Sequence, residues 1–185
     1  MEILALASDA FARQCASLEQ GQWDLPTPCS EWNLTQLVDH VTGGNWFTIQ
    51  ILNGVTADAA MAAALARFDG APDHRDAAIS SIRDQEDAFV QRGALDRRCQ
   101  HVAAELSGGE VLRLRLHDII IHTWDIAQTV SPPGSISDDL SAWALAELGL
   151  ADSLTARHFG LTSPDTGRQS ESPQMTLLAA FGRST

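Results

Sequence analysis

The sequence predicts an all-α protein, a bundle of four substantial helices with extra short helices. Apolar side chains recur every three or four positions through several long segments, which is the period of an amphipathic helix. The alternation of apolar and polar residues that is typical of a half-buried strand is almost absent. The chain has 185 residues, a length that suits one domain, and it contains no internal repeat. We therefore expect residues 1–185 to form a single helical-bundle domain.

Composition and charge limit the partners and the location of the protein. The net charge is −12, which disfavours nucleic acids and anionic membranes because both are bound through basic patches. No run of about 18 apolar residues predicts a membrane span, and the amino-terminal residues lack the basic start of a secretory signal. Cys15, Cys29 and Cys99 are too few for a disulfide framework, so we expect a reducing, cytoplasmic location.

The first two helices are predicted on either side of a loop that contains two prolines. Helical spacing of apolar residues covers 2–19, and Gly21 follows as a helix terminator. The loop covers 22–33. Asn33 and Gln36 stand at the spacing of a capping box, so the second helix is expected to begin directly after Asn33.

The second helix carries a histidine beside its apolar stripe and two glycines one turn later. His40 borders the stripe formed by Leu34, Leu37, Val38 and Val41. Gly43 and Gly44 each cost roughly 1 kcal/mol relative to alanine within a helix, so their presence needs a reason. They either leave space beside His40 or allow a close helix–helix approach, and the sequence favours neither.

The remaining segments are assigned by the same periodicity. They are expected to be a short alanine-rich helix over 57–68, a long helix over 74–92, an irregular crossover over 93–109, a long helix over 110–130, a helix from Ser137 or Asp138 to about Arg157, a polar loop over 163–172, and a short closing helix over 175–181.

The helix over 110–130, EVLRLRLHDIIIHTWDIAQTV, carries the residues that suggest chemistry. Asp118, His122 and Asp125 lie on one line of this helix, bordered by apolar side chains. A buried carboxylate requires a partner or a metal ion, and side chains at i and i+4 can bind one ion together. We therefore hypothesise that Asp118 and His122 are metal ligands. The alternative is a half-exposed polar strip with ordinary hydrogen bonds.

Three stretches of the sequence resemble a known family. LPTPCSEWNLTQLVDHVTGGNWF, residues 25–47, resembles the segment that opens the metal-binding domain of the mycothiol-dependent maleylpyruvate isomerase family. HDIIIHTWDIAQTV, residues 117–130, resembles the later ligand helix of that family, and PQMTLLAAFGRST, residues 173–185, resembles the end of its short actinobacterial relatives. The wider group is the DinB/YfiT-like metalloenzymes, so the resemblance implies a DinB-like four-helix bundle.

The resemblance also implies a ligand set of three side chains around a divalent ion. These are His40, Asp118 (where the isomerase has glutamate) and His122. Two histidines and one carboxylate leave coordination positions open, as in catalytic zinc sites, and they would also accept nickel, iron or manganese. Asp125 is either a partner of the second imidazole N–H group or an exposed or capping residue. His117 lies about 100° away from the ligand line and is not included.

The function implied by the resemblance is metal activation of a low-molecular-weight thiol such as mycothiol, in an S-transferase or an isomerase. The expected partners are this thiol and an electrophilic small molecule, and a homodimer is also expected. The isomerase has an additional C-terminal domain, whereas 55 residues follow Val130 here, so we expect the substrate-binding half to be shortened or replaced and the reaction to differ from that of the isomerase. Two alternatives are a non-catalytic metal- or ligand-binding protein, which predicts a closed site, and a metal-assisted hydrolase, for which Asp125 is the candidate acid or base.

Overall fold

The computed structural model describes residues 1–70, 73–149, 154–161 and 172–183, and helices dominate these ranges. The helices are α1 (Glu2–Ser17), α2 (Leu34–Leu52), α3 (Ala57–Ala66), α4 (His74–Val90), α5 (Gly108–Val130), α6 (Asp138–Leu148), α7 (Leu154–His158) and α8 (Pro173–Ala180). Two short strands, β1 (Arg98–Gln100) and β2 (Glu105–Ser107), precede α5.

Four long helices, α1, α2, α4 and α5, form the bundle. Helices α1 and α2 each pack against both α4 and α5, while α3 covers α2 and α6 packs against α8. The core between them is apolar, and its largest fully buried side chains include Trp124, Phe11 and Phe89. Within the described ranges, no helix is both long enough and apolar enough to cross a membrane.

Capping boxes fix the start of the two helices that carry the candidate ligands. At α2, the Asn33 side chain accepts the N–H group of Gln36 at 2.9 Å, and the Gln36 side chain accepts the N–H group of Asn33 at 3.0 Å. This confirms the predicted helix start. At α5, Ser107 and Glu110 exchange the same pair of bonds. Helix α5 therefore begins at Gly108, two residues before the predicted start.

Two segments differ from the sequence prediction. The predicted crossover over 93–109 contains an antiparallel hairpin in which Cys99 faces Leu106; strands of three residues are too short to produce a recognisable alternation. The helix predicted to run to Arg157 is interrupted, since α6 ends before Gly149 and α7 begins at Leu154. The predicted loop over 163–172 lies outside the described residues, except for Ser172.

Candidate metal centre

The three predicted ligands come together between α2 and α5. Asp118 Oδ1 lies 3.2 Å from His40 Nε2 and 3.4 Å from His122 Nε2. One ligand atom from each of the three residues lies within 4.8 Å of the other two. Asp118 and His122 are buried, whereas His40 is exposed. The cluster is therefore accessible from the side of His40.

The position of each ligand follows from the local sequence. Asp118 and His122 are four residues apart on α5, so their side chains project from the same side of that helix. His40 borders the stripe that packs α2 into the bundle, which directs it towards α5. Convergence of ligands from facing helices is the usual way in which bundles build metal sites.

A buried arginine, which the sequence prediction did not include, holds the carboxylate of Asp118. Nη1 of Arg115 donates to Asp118 Oδ2 at 2.7 Å, and Nη2 donates to Asn45 Oδ1 at 2.8 Å and to the Val41 carbonyl at 3.2 Å. Nε donates to Gln85 Oε1 at 3.2 Å. Because Oδ2 is engaged, Oδ1 is the oxygen left to face the imidazoles. An arginine one turn before Asp118 in an apolar helix was the signal in the sequence.

Gly44 explains how Arg115 fits between the helices. A methyl group at Gly44 would overlap Nη1 of Arg115 and lie 2.8 Å from its Cζ atom. At Gly43, the nearest atom to such a group is a ring carbon of Phe68, at 3.4 Å. Of the two explanations that the sequence left open, packing between α2 and α5 therefore accounts for Gly44, which makes room for the Arg115 side chain.

Asp125 is fully buried and orients His122 by contacting the ring nitrogen that does not face Asp118. His122 Nδ1 lies 2.9 Å from Asp125 Oδ2. Arg183, from the segment after α8, donates from Nε to Asp125 Oδ1 and from Nη2 to Oδ2, both at 2.8 Å. The exposed or capping alternative for Asp125 is therefore wrong. Arg183 was not predicted, because 58 positions separate it from Asp125 and no local pattern connects them.

The charged groups of the cluster shift one another's pKa values in favour of the charged forms. Burial alone would raise the pKa of Asp118, but Arg115 and His122 outweigh burial and hold that pKa well below its ordinary value. Burial alone would lower the pKa of His122, but Asp118 and Asp125 raise it to about 9. A buried carboxylate oxygen that faces two imidazole nitrogens is thus a site suited to a proton or a metal cation.

Trp32 covers the two candidate histidine ligands. Its ring centroid lies 4.5 Å from that of His40 and 5.8 Å from that of His122. The loop before α2 is fixed by Thr27, whose hydroxyl donates to the Trp32 carbonyl at 2.8 Å. His117 is directed elsewhere, since its ring nitrogens lie 2.8 Å from the Arg113 carbonyl and 3.1 Å from the Ala144 carbonyl.

A cavity of about 320 Å³ adjoins the cluster, and His40, Arg115 and Asp118 line part of it. The rest of its wall comes from α2, α3 and the turn after α3, the loop of the hairpin, Leu114 of α5, α7 and the turn after α7. This volume is within the range of small-molecule sites, about 300–1,000 Å³.

Comparison with known proteins identifies the family. Residues 4–127 match the family described as the mycothiol maleylpyruvate isomerase N-terminal domain. The chain belongs to this family. The match contains His40, Asp118 and His122, and it confirms the resemblance inferred from residues 25–47 and 117–130.

Two proteins of Mycobacterium tuberculosis are similar to this chain in sequence. The uncharacterized proteins Rv0738 of strain H37Rv and MT0763 of strain CDC 1551 are each 29% identical to this chain over 184 residues, which cover 95% of this chain and 92% of the relative. These relatives therefore share the length of this chain.

A solved structure shows the same fold. The crystal structure of the mycothiol-dependent maleylpyruvate isomerase superposes with a TM-score of 0.59 at 17% identity, over 80% of this chain and 68% of that chain. At this identity the likeness concerns the fold. It confirms the predicted all-α, DinB-like bundle.

Proposed function

We propose that this protein is a metal-dependent enzyme that activates a low-molecular-weight thiol, such as mycothiol, for transfer to an electrophile or for isomerisation of it. The observation that carries the proposal is the cluster of His40, Asp118 and His122, with one ligand atom from each within 4.8 Å of the others. Membership of a family named after a mycothiol-dependent isomerase supports the choice of thiol.

The donor set fits a divalent ion. Two imidazole nitrogens and one carboxylate oxygen are the ligands of open catalytic zinc sites, and zinc is our first choice, with nickel, iron or manganese as alternatives. A thiol bound to such an ion loses its proton and becomes a nucleophile at neutral pH.

The chain's own residues would prepare the site for this chemistry. Arg115 holds one oxygen of Asp118 and leaves the other for coordination. Asp125 accepts the Nδ1–H group of His122, which leaves Nε2 unprotonated when it serves as a ligand. Trp32 covers both imidazoles and limits the access of water from one side.

The geometry supports an enzyme over the two alternatives. The cavity beside His40 and Asp118 gives a co-substrate a place next to the candidate ion, which a passive, closed site does not need. A hydrolase requires a free acid or base, and its candidate, Asp125, is fully buried and bonded to His122 and Arg183. We also propose that the protein is cytoplasmic and forms a homodimer.

Metal content is the decisive test. We expect tag-free protein to contain about one divalent ion per chain by elemental mass spectrometry, and His122→Ala to lose it. The matched control is His74→Ala, because His74 also pairs with a carboxylate, Asp39, but lies outside the cluster. Equal metal content in parent and His122→Ala, or none in the parent after incubation with zinc, would overturn the proposal.

A second measurement tests the role of the thiol. In cobalt-substituted protein, mycothiol should produce the thiolate-to-cobalt absorption of a coordinated sulfur, and His74→Ala should retain it. A cobalt spectrum that mycothiol leaves unchanged would retain the metal site but contradict thiol activation.

A further inference from the structure

We propose that the cavity beside the cluster binds a small, uncharged, mostly apolar molecule as the co-substrate of the thiol. The identification of this molecule as a co-substrate rests on the proposed function. Its chemical class rests on the wall of the cavity alone. Size, surface and charge each contribute to the inference.

The cavity has room for one small molecule. Its volume is about 320 Å³, near the lower end of the range of ligand sites. A sugar thiol that reached the cluster would therefore extend beyond this cavity if a second molecule occupied it. Asp118 and His40 line the cavity, so its occupant would lie next to the candidate ion.

Most of the wall is apolar and aromatic. The side chains that provide this surface come from α2, α3, the turn after α3, α5 and the turn after α7; they include Phe47, Met61, Leu65, Phe68, Leu114 and Phe159. Leu65 and Met61 are 59% and 39% exposed. An apolar ligand would cover part of this surface, and its burial would contribute to affinity.

The acidic groups of the wall already have partners. Asp39 Oδ1 lies 2.7 Å from His74 Nδ1. Asp118 Oδ2 accepts from Arg115 at 2.7 Å. Both carboxylates are therefore already paired with groups of the protein.

The basic side chains of the wall are Arg115, His40, His101 and His158. Arg115 engages four of its five N–H groups with Asp118, Asn45, Val41 and Gln85, and its charge is balanced by Asp118. Burial, with the nearby charges of His158 and Arg115, lowers the pKa of His101 to about 4, so this imidazole is neutral at pH 7. One N–H group of Arg115 remains, which suffices to orient a neutral carbonyl or nitro oxygen.

The net charge of the whole chain also disfavours anionic ligands. A net charge of −12 repels anions on approach. Transfer of a carboxylate or sulfonate from water to an apolar wall without a partner is costly. Among the described lining side chains, a dicarboxylate such as maleylpyruvate would meet only the imidazoles of His40 and His158 and one N–H group of Arg115 as basic partners, and we infer a substrate class different from it.

Two fluorescent probes test this inference directly. N-phenyl-1-naphthylamine is neutral, and 8-anilino-1-naphthalenesulfonate has the same ring framework with one added sulfonate. In titrations of the zinc-incubated full chain, we expect the neutral probe to bind at least about tenfold more tightly, because the sulfonate would be buried without a partner. Equal binding, or tighter binding of the sulfonate, would overturn the proposal.

A matched pair of variants locates the binding. Leu65→Asp places a charge on the cavity wall, whereas Val90→Asp places one at the end of α4, outside the wall; the two side chains are 59% and 58% exposed, so both variants should fold. We expect Leu65→Asp to weaken binding of the neutral probe roughly tenfold and Val90→Asp to leave it unchanged. An equal effect of both variants would contradict the location.

The experiment separates the inference from the proposed function. Neither probe requires a metal ion, so the titration gives a result whether or not zinc binds. Absence of zinc with retained preference for the neutral probe would overturn the metal-dependent function and leave the ligand class standing. Zinc binding without that preference would overturn the ligand class and leave the metal-dependent function standing.

Discussion

Arg115 is the residue on which the geometry of the cluster depends most. It is buried, and its bonds to Gln85 of α4, to Asn45 and the Val41 carbonyl of α2 and to Asp118 of its own helix join three helices of the bundle at the candidate site. A buried guanidinium is stable only when such partners surround it. The same side chain therefore stabilises the bundle and fixes one oxygen of Asp118.

Adjacent glycines provide a test of this role. Gly44→Ala should displace Arg115 and weaken zinc binding about 10- to 100-fold, the usual effect of disturbing a partner of a ligand. Gly43→Ala, whose added methyl group meets only Phe68 at 3.4 Å, should leave zinc affinity unchanged. Competition with a zinc-binding dye measures both constants. Equal zinc affinities in the two variants would show that Arg115 does not position Asp118.

Helix α5 is the element that places the candidate ligands. It supplies Asp118 and His122, carries Arg115 and Asp125, and packs against both α1 and α2. Its start is fixed twice: by the capping box of Ser107 and Glu110, and by close contact between Gly108 and the turn that contains Ala94. The orientation of α5 therefore depends on the segment of hairpin and turn that precedes it.

A second glycine pair tests the contact at the start of α5. A methyl group at Gly108 would overlap the carbonyl oxygen of Ala94, whereas at Gly109 the nearest atom is 3.5 Å away. Gly108→Ala should lower the free energy of unfolding by about 2 kcal/mol or more, because backbone must shift. Gly109→Ala should raise it by up to about 1 kcal/mol through helix propensity. Urea titrations monitored by circular dichroism measure both; similar values for the two variants would contradict the contact.

At the scale of the whole molecule, buried histidines make stability depend on pH. Burial lowers the pKa of His117, and burial with nearby positive charge lowers that of His101 to about 4. His101 is therefore neutral in the folded protein between about pH 4 and pH 6.5, where the unfolded chain, with an ordinary histidine pKa of about 6.5, is protonated. At this position the unfolded state therefore binds more protons, so the contribution of His101 to stability falls as the pH is lowered from about 6.5 towards 4. His122, whose pKa is raised to about 9, contributes with the opposite sign: the stability it provides is present below about pH 6.5 and is lost as the pH rises towards 9.

This pH dependence has a measurable consequence. Between pH 7 and pH 5, His101→Gln should lose on the order of 1 kcal/mol less unfolding free energy than the parent, since the variant has no imidazole to protonate at that position. His74→Gln, a substitution of a partly exposed, ion-paired histidine, serves as the control. Urea titrations at the two pH values provide the comparison. A loss in His101→Gln equal to that of the parent would show that His101 does not contribute.

The sequence by itself determined the all-α class, the capping box at Asn33, the line of Asp118, His122 and Asp125 on one helix, and the family. These follow from local patterns, because the period of apolar residues and the spacing of caps are set by the geometry of a single helix. His40 was found through resemblance to the family. His40 and Asp118 are 78 positions apart in the chain, and a separation of this length contains no such local pattern.

The tertiary structure alone decided what surrounds the candidate ligands. The bonds of Arg115 to α2 and α4, the pairing of Arg183 with Asp125, and the cavity between α2, α3, α5 and α7 all join residues far apart in the chain. The hairpin before α5 also escaped prediction, since three residues per strand carry no readable alternation. Packing brings such groups together after the helices have formed, so periodicity within one segment predicts which side chains face the core, and not which of them meet there.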